Sequence, residues 1–160
     1  MTAEIQRAHT RDETPDLHRW NLVDANLTSL DLTGADLTSA NLTRANLTGS
    51  WIANAELTRA NLTDANLTGA HLLLSRLRAT NLTNANLHNT ELHNATYDPA
   101  QLLTTRGLNP FNETHCIPQE TWDQILPTHP TTRELLEELL NDWDGTLQQA
   151  ISTTELLHTA

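Results

Sequence analysis

The side chains best suited to chemistry are histidines, one cysteine and a handful of charged and aromatic groups. His88 and His93 stand five residues apart with Glu91 between them, and His71 lies further upstream. Such types could hold a metal ion, but only if three or four ligands converge on one point. Cys116 follows His115. A nucleophile and its base must meet in space, however, and adjacency in sequence does not bring that about. No glycine-rich phosphate loop or nucleotide fingerprint is present. Trp51, Leu73 and Leu74, with Arg76 and Arg78 close by, are the types found at binding hot spots. What any of these groups can do depends on the element that carries it.

That element is a five-residue repeat. Seventeen consecutive positions spaced by five, Leu22 through Leu102, are Leu except for Ile52 and Tyr97. A small or apolar residue, most often Ala, stands two before each, Asn or Asp usually one before, and Thr one after. Ala25-Asn26-Leu27-Thr28 and Ala60-Asn61-Leu62-Thr63 show the unit at its cleanest. On an α-helix a five-residue step turns each Leu by roughly 140° and scatters them around the axis. On a straight strand an odd step sends successive Leu residues to opposite faces. The Leu residues share one interior only if the chain turns a corner in every unit, giving a coil whose stacked turns pair through their backbones.

The Ala-[Asp/Asn]-Leu-x-x tandem resembles the pentapeptide-repeat family. The resemblance implies an all-β solenoid, a right-handed quadrilateral β-helix with four units and twenty residues per coil. Residues 1–14 lack the period and read as a flexible lead-in. Residues 15–104 form the coil, with Trp20 in an Ala position as a cap at its open end. Residues 105–160 read as a loop plus two or three short helices. These lie near 118–126, over Thr131–Trp143, and from Leu147 to about His158 with Thr146 as cap. Leu135, Leu136, Leu139, Leu140, Trp143 and Ile151 supply apolar faces for capping the coil or for dimerisation.

Rows of twenty sort the coil into four sides. On the first two, the column before Leu reads Asn21, Asn41, Asn61, Asn81, Gln101 and Asn26, Asn46, Asn66, Asn86. Stacked amides of this kind are expected to hydrogen-bond along the axis and maintain the rod. Departures gather on the other two sides, at Trp51, His71, Leu73 and Leu74 and at Glu56, Arg59, Arg76 and Arg78. These eight residues are the candidate partner surface. A foreign protein, the chain's own C-terminal helices and a second copy remain open as its occupant. Outward positions on a rod diverge, so no metal, cofactor or catalytic residue is assigned and no enzyme is expected.

Charge narrows the partners. The net charge is −11 and every cation is Arg. Residues 15–104 carry eight acids against five arginines, whereas residues 105–160 carry nine against two. Direct nucleic-acid binding is disfavoured, because phosphate neutralisation needs clustered Lys and Arg. No apolar run is long enough to span a membrane. A single cysteine fits a reducing cytoplasm. The expected role is a protein-interaction scaffold or regulator with a protein partner of unknown identity and, as one option, a homodimer through the C-terminal helices. The resemblance supplies an alternative, since some family members protect or inhibit DNA gyrase as acidic mimics of duplex DNA. A third option is docking onto an enzyme through the acidic helices.

Overall fold

The computed structural model of the chain describes residues 11, 13–108, 117–126, 136–137, 140 and 145–158. From Asp16 onward the chain winds so that each residue before the central Leu pairs in parallel with the residue twenty further on. Asn21 pairs with Asn41, Asn41 with Asn61 and Asn61 with Asn81 on one side, while Trp51 pairs with His71 and His71 with Glu91 on another. Twenty residues therefore complete one coil. The pairings are single-residue bridges rather than extended strands, since every side bends into a turn just after its Leu.

The unit Ala60–Asp64 accounts for all five of its backbone donors. Ala60 N–H donates to the Leu57 carbonyl at 2.9 Å, closing the preceding turn, and Asn61 N–H donates back one coil to Ala40 at 2.9 Å. Leu62 and Asp64 donate forward one coil, to the Asn81 carbonyl at 2.8 Å and the Thr83 carbonyl at 2.9 Å. The Thr63 amide is the one donor without a backbone acceptor, and it is met by Asn61 Oδ1 at 3.2 Å. The Thr63 hydroxyl donates to the same oxygen at 2.7 Å. Asn before Leu and Thr after it are thus two halves of one device. The amide-to-amide ladder expected along the axis does not form among the described residues. Each amide oxygen is already occupied within its own unit, and the Asn61 and Asn86 amide nitrogens reach Thr43 and Thr68 hydroxyls one coil back.

The turn residue has positive φ on every side, at Asp24, Ser29, Gly34 and Ser39 and at their equivalents up the coil. With the preceding Thr outside that region and a hydrogen bond from the next unit to the Leu carbonyl, these are type II turns. Glycine fills few of these corners. Most are held by polar residues, which tolerate the left-handed region at moderate cost.

Inside, the central residues from Leu17 to Leu92 are buried, and the stack from Leu62 to Leu102 has no room for a water molecule. Where Ser50, Ser75, Thr80, Thr90 or Thr105 replaces Ala, the hydroxyl is buried but donates to a backbone carbonyl at 2.7–2.8 Å. Such an exchange stabilises what would otherwise be a costly buried polar group. Trp20, Ala25 and Leu30 in the first coil are half-buried against the same core.

The last coil departs from the pattern at α1 (Pro99–Leu102). Asp98 caps it, accepting from Ala100 N–H, while Gln101 Oε1 accepts from Asp98 N–H. The helical turn uses the Gln101 amide, so the Gln101 side chain donates instead to the Thr80 carbonyl. Leu102 keeps its buried place. The ladder resumes at Arg106, which pairs with Asn86, two residues past the boundary at 104 read from the sequence.

α2 (Gln119–Ile125) and α3 (Leu147–His158) follow. Thr146 and Gln149 form a reciprocal cap at the start of α3. Thr146 pairs antiparallel with Arg106, and the amides of Leu147 and Gln148 donate to Thr105 and Leu103 carbonyls on the last coil. Open ladder acceptors there are covered in this way.

Leu62→Ala removes a buried side chain from a stack that cannot relax sideways. It should lower unfolding stability by about 3 kcal/mol, read from urea denaturation followed by circular dichroism. A loss comparable to a surface substitution would contradict the closed core. Asp36 offers a pH test. Hydrogen bonds from the Thr38 hydroxyl and amide hold its carboxyl below the ordinary 3.8. A depressed folded value means the stabilisation is complete above that ordinary value and is lost as pH falls through the lower one. The stability difference between the wild type and Asp36→Asn should therefore shrink between pH 6 and pH 2. A difference that is constant with pH would sink the assignment.

Candidate functional site

The first two sides are uniform in structure as in sequence. Their most prominent exposed charges are Asp24 and Arg44, whose guanidinium makes two hydrogen bonds of 2.7 Å to the carboxylate. The pair depresses the Asp24 carboxyl and raises the Arg44 guanidinium, each chiefly through that hydrogen bond. Solvent-exposed pairs of this kind contribute little to stability.

The third side carries an axial row built by the twenty-residue step. Trp51 stacks on His71 with ring centroids 4.1 Å apart and planes at 20°. His71 Nδ1 lies 2.9 Å from Glu91 Oε2 in the next coil. Glu91 is therefore engaged by His71, and it is not gathered with His88 and His93 into a ligand set. Among the described residues no cluster of three or more His, Cys, Asp or Glu is placed to hold a metal ion. Cys116 and His115 lie outside the described residues.

Among the described residues, Trp51, Leu73 and Leu74 are the large apolar side chains left in solvent, at 53%, 39% and 50% exposure. Leu74 is also strained. It sits in the turn column with Gly34, Asn54 and Asn94, all at positive φ, and holds φ 60° without the small or amide side chain that eases that region. Nothing in the packing of the coil requires Leu at this corner, so it is a local misfit retained on the surface.

Glu56, Arg59, Arg76 and Arg78 follow on the fourth side. Glu56 plays the part of Asn in its unit, accepting from the Thr58 amide and hydroxyl, and it also meets Arg76 Nη1 at 3.3 Å. Arg59 N–H donates to the Arg78 carbonyl at 3.1 Å, which sets the two arginines side by side on neighbouring coils. Arg78 has no ion-pair partner among the described residues. The eight sequence-selected residues therefore lie on two adjoining sides, as their columns require.

Sequence reasoning missed a cleft of about 630 Å³ where these sides meet the C-terminal segment. Arg76, Arg78 and His93 line it together with Tyr97, Pro118 and Thr121. Burial pushes the Tyr97 phenol up, opposed by a hydrogen bond to Thr121. Tyr97 replacing Leu was the available signal, but nothing in the repeat foretold that α2 would return to it. Of the C-terminal apolar set, Leu136 and Leu140 are buried and Ile151 is half-buried against the common core. Leu135, Leu139 and Trp143 lie outside the described residues. Among the described residues, no helix is long and apolar enough to cross a membrane.

Comparison with known proteins matches a family model, Pentapeptide repeats (8 copies), to residues 21–59 and 60–96. No curated protein matches. Among solved structures, the pentapeptide repeat protein Rfr23 from the cyanobacterium Cyanothece 51142 is 40% identical, with 52% of this chain and 60% of that one covered and a TM-score of 0.45. The present chain thus spans less than two thirds of the length of Rfr23. The pentapeptide repeat protein alr5209 from Nostoc Pcc 7120 is 33% identical over 60% of this chain and 74% of its own, with a TM-score of 0.45. A pentapeptide repeat protein of the Arabidopsis thaliana thylakoid lumen covers 90% of this chain and 92% of its own at 21% identity and a TM-score of 0.60, a likeness of fold alone. With the repeat matched over most of the coil and identity above 30% to a relative spanned for 74% of its length, the chain belongs to the pentapeptide-repeat family.

Proposed function

We propose that this protein is a non-catalytic interaction scaffold, a right-handed quadrilateral β-helix whose third and fourth sides bind a partner protein. The observation that carries this reading is the placement of Trp51, Leu73 and Leu74. The coil spends polar residues on nearly every other outward position, yet these three stand in solvent together and one of them strains its turn. Exposed aromatic and aliphatic groups beside Arg are the composition of an interface centre. The C-terminal segment serves as an end cap in this proposal, since its buried residues join the coil core and its amides occupy the last ladder acceptors. A cytoplasmic setting is part of the same proposal.

A DNA mimic directed at gyrase draws less support. Such a role needs a continuous negative stripe, and here Arg44 offsets Asp24 while Arg59, Arg76 and Arg78 interrupt the fourth side.

Affinity capture from cell extract with the wild-type chain, compared with the Trp51→Ala/Leu73→Ala variant, tests the scaffold. The double variant should fold normally and lose its captured partner by about tenfold or more. Undiminished capture would place the interface elsewhere. Leu74→Asn separates surface function from fold economy. Asn relieves the left-handed strain, so thermal unfolding should show a gain of about 0.5–1 kcal/mol together with weaker partner binding. A destabilised Leu74→Asn variant would mean that Leu74 serves the fold.

A further inference from the structure

We infer that the cleft beside Tyr97 binds carboxylates from an acidic segment of the partner protein, a refinement that rests on the scaffold reading. The cleft is lined by two arginines and, among the described residues, by no Asp or Glu, in a chain whose net charge is −11. Arg78 is unpaired among the described residues. Arg76 gives one nitrogen to Glu56 at 3.3 Å and keeps its other donors free of partners among the described residues. A guanidinium presents five N–H donors in a planar fork that fits a carboxylate through two parallel hydrogen bonds. Two of them lining one cleft, together with His93 and Tyr97, form a receptor for more than one carboxylate. Tyr97 and Pro118 supply low-polarity walls, which strengthen such hydrogen bonds relative to open solvent.

The apolar patch continues directly into this cleft. Leu74 N–H donates to the His93 carbonyl at 2.9 Å, so the strained Leu and a cleft residue are neighbours on adjacent coils. An extended segment can therefore seat an apolar side chain against Leu73 and Leu74 and its carboxylates against Arg76 and Arg78. Nucleic acid fits less well. A duplex carries one charge per roughly 1.7 Å, and a chain of net charge −11 with two arginines at the cleft opposes a long polyanion more than a short acidic peptide.

The test is selection of a random linear peptide library on the immobilised full-length chain, followed by fluorescence anisotropy of the enriched peptides. Enriched sequences should place two or more Asp or Glu beside a large apolar residue. Arg78→Gln should weaken their binding by about tenfold, and the Arg76→Gln/Arg78→Gln variant should weaken it further. Arg44→Gln removes the same charge from the first side and should leave affinity within about twofold, because exposed charges far from the site are screened. Circular dichroism verifies the fold of each variant.

Several results would overturn the proposal. These are enrichment of neutral peptides, absence of enrichment, an equal loss in Arg44→Gln, or displacement of the peptide by a short DNA duplex. Light scattering adds one more, since a dimer that dissociates in Arg78→Gln would make a second copy the occupant. The two readings fail separately. A captured partner that needs Trp51 and Leu73 but not Arg78 removes the acidic cleft and leaves the scaffold standing.

Discussion

The structure depends on one constraint: five backbone amides per unit must all find acceptors while the chain turns a corner. Two amides bond forward to the next coil, one back to the previous coil and one across the turn. The fifth has no backbone carbonyl within reach. It belongs to the residue after Leu, and the side-chain oxygen of Asn or Asp meets it. Burying Leu supplies the hydrophobic drive, yet Leu alone would allow many collapsed states. The polar accounting selects the coil among them, since in a circuit of twenty residues every donor of a unit such as Ala60–Asp64 finds an acceptor.

A coil so repetitive makes departures visible. The first two sides obey the rule. Elsewhere the chain departs from it, and each departure has an identifiable structural consequence. Trp51 and His71 replace the capping amide with a ring stack, and Glu56 retains the capping role with a longer arm. Leu74 accepts a strained corner. These exceptions adjoin one another because columns twenty residues apart stack into neighbours. Their clustering on two sides is a property of the surface, and nothing in the core would enforce it.

The ends of the solenoid obey a different logic. A stack of coils exposes its ladder at both ends, and unpaired acceptors invite association. At the C-terminal end the chain uses what the repeat no longer provides. The Gln101 side chain substitutes for an amide committed to α1, and the start of α3 pairs with Arg106 and covers the last carbonyls.

The sequence by itself determined the period and the inward place of each Leu and Ala, which follow from local rules repeated in register. The column of each outward residue needed the four units per coil that the family resemblance implies; with that number, Trp51 and Leu73 could be placed on one side, and Glu91 above His71, by counting. Counting gave no reason for Thr after each Leu, and it suggested amide ladders where the oxygens are in fact consumed inside each unit. Hydrogen-bond direction is settled by geometry. The return of Pro118 and Thr121 to Tyr97, and of Thr146 to Arg106, was also beyond the pattern. Aperiodic connections leave no trace of where they dock, because docking is fixed by shape and by whichever backbone groups the last coil leaves unmet. Only the tertiary structure made two exposed arginines into a cleft.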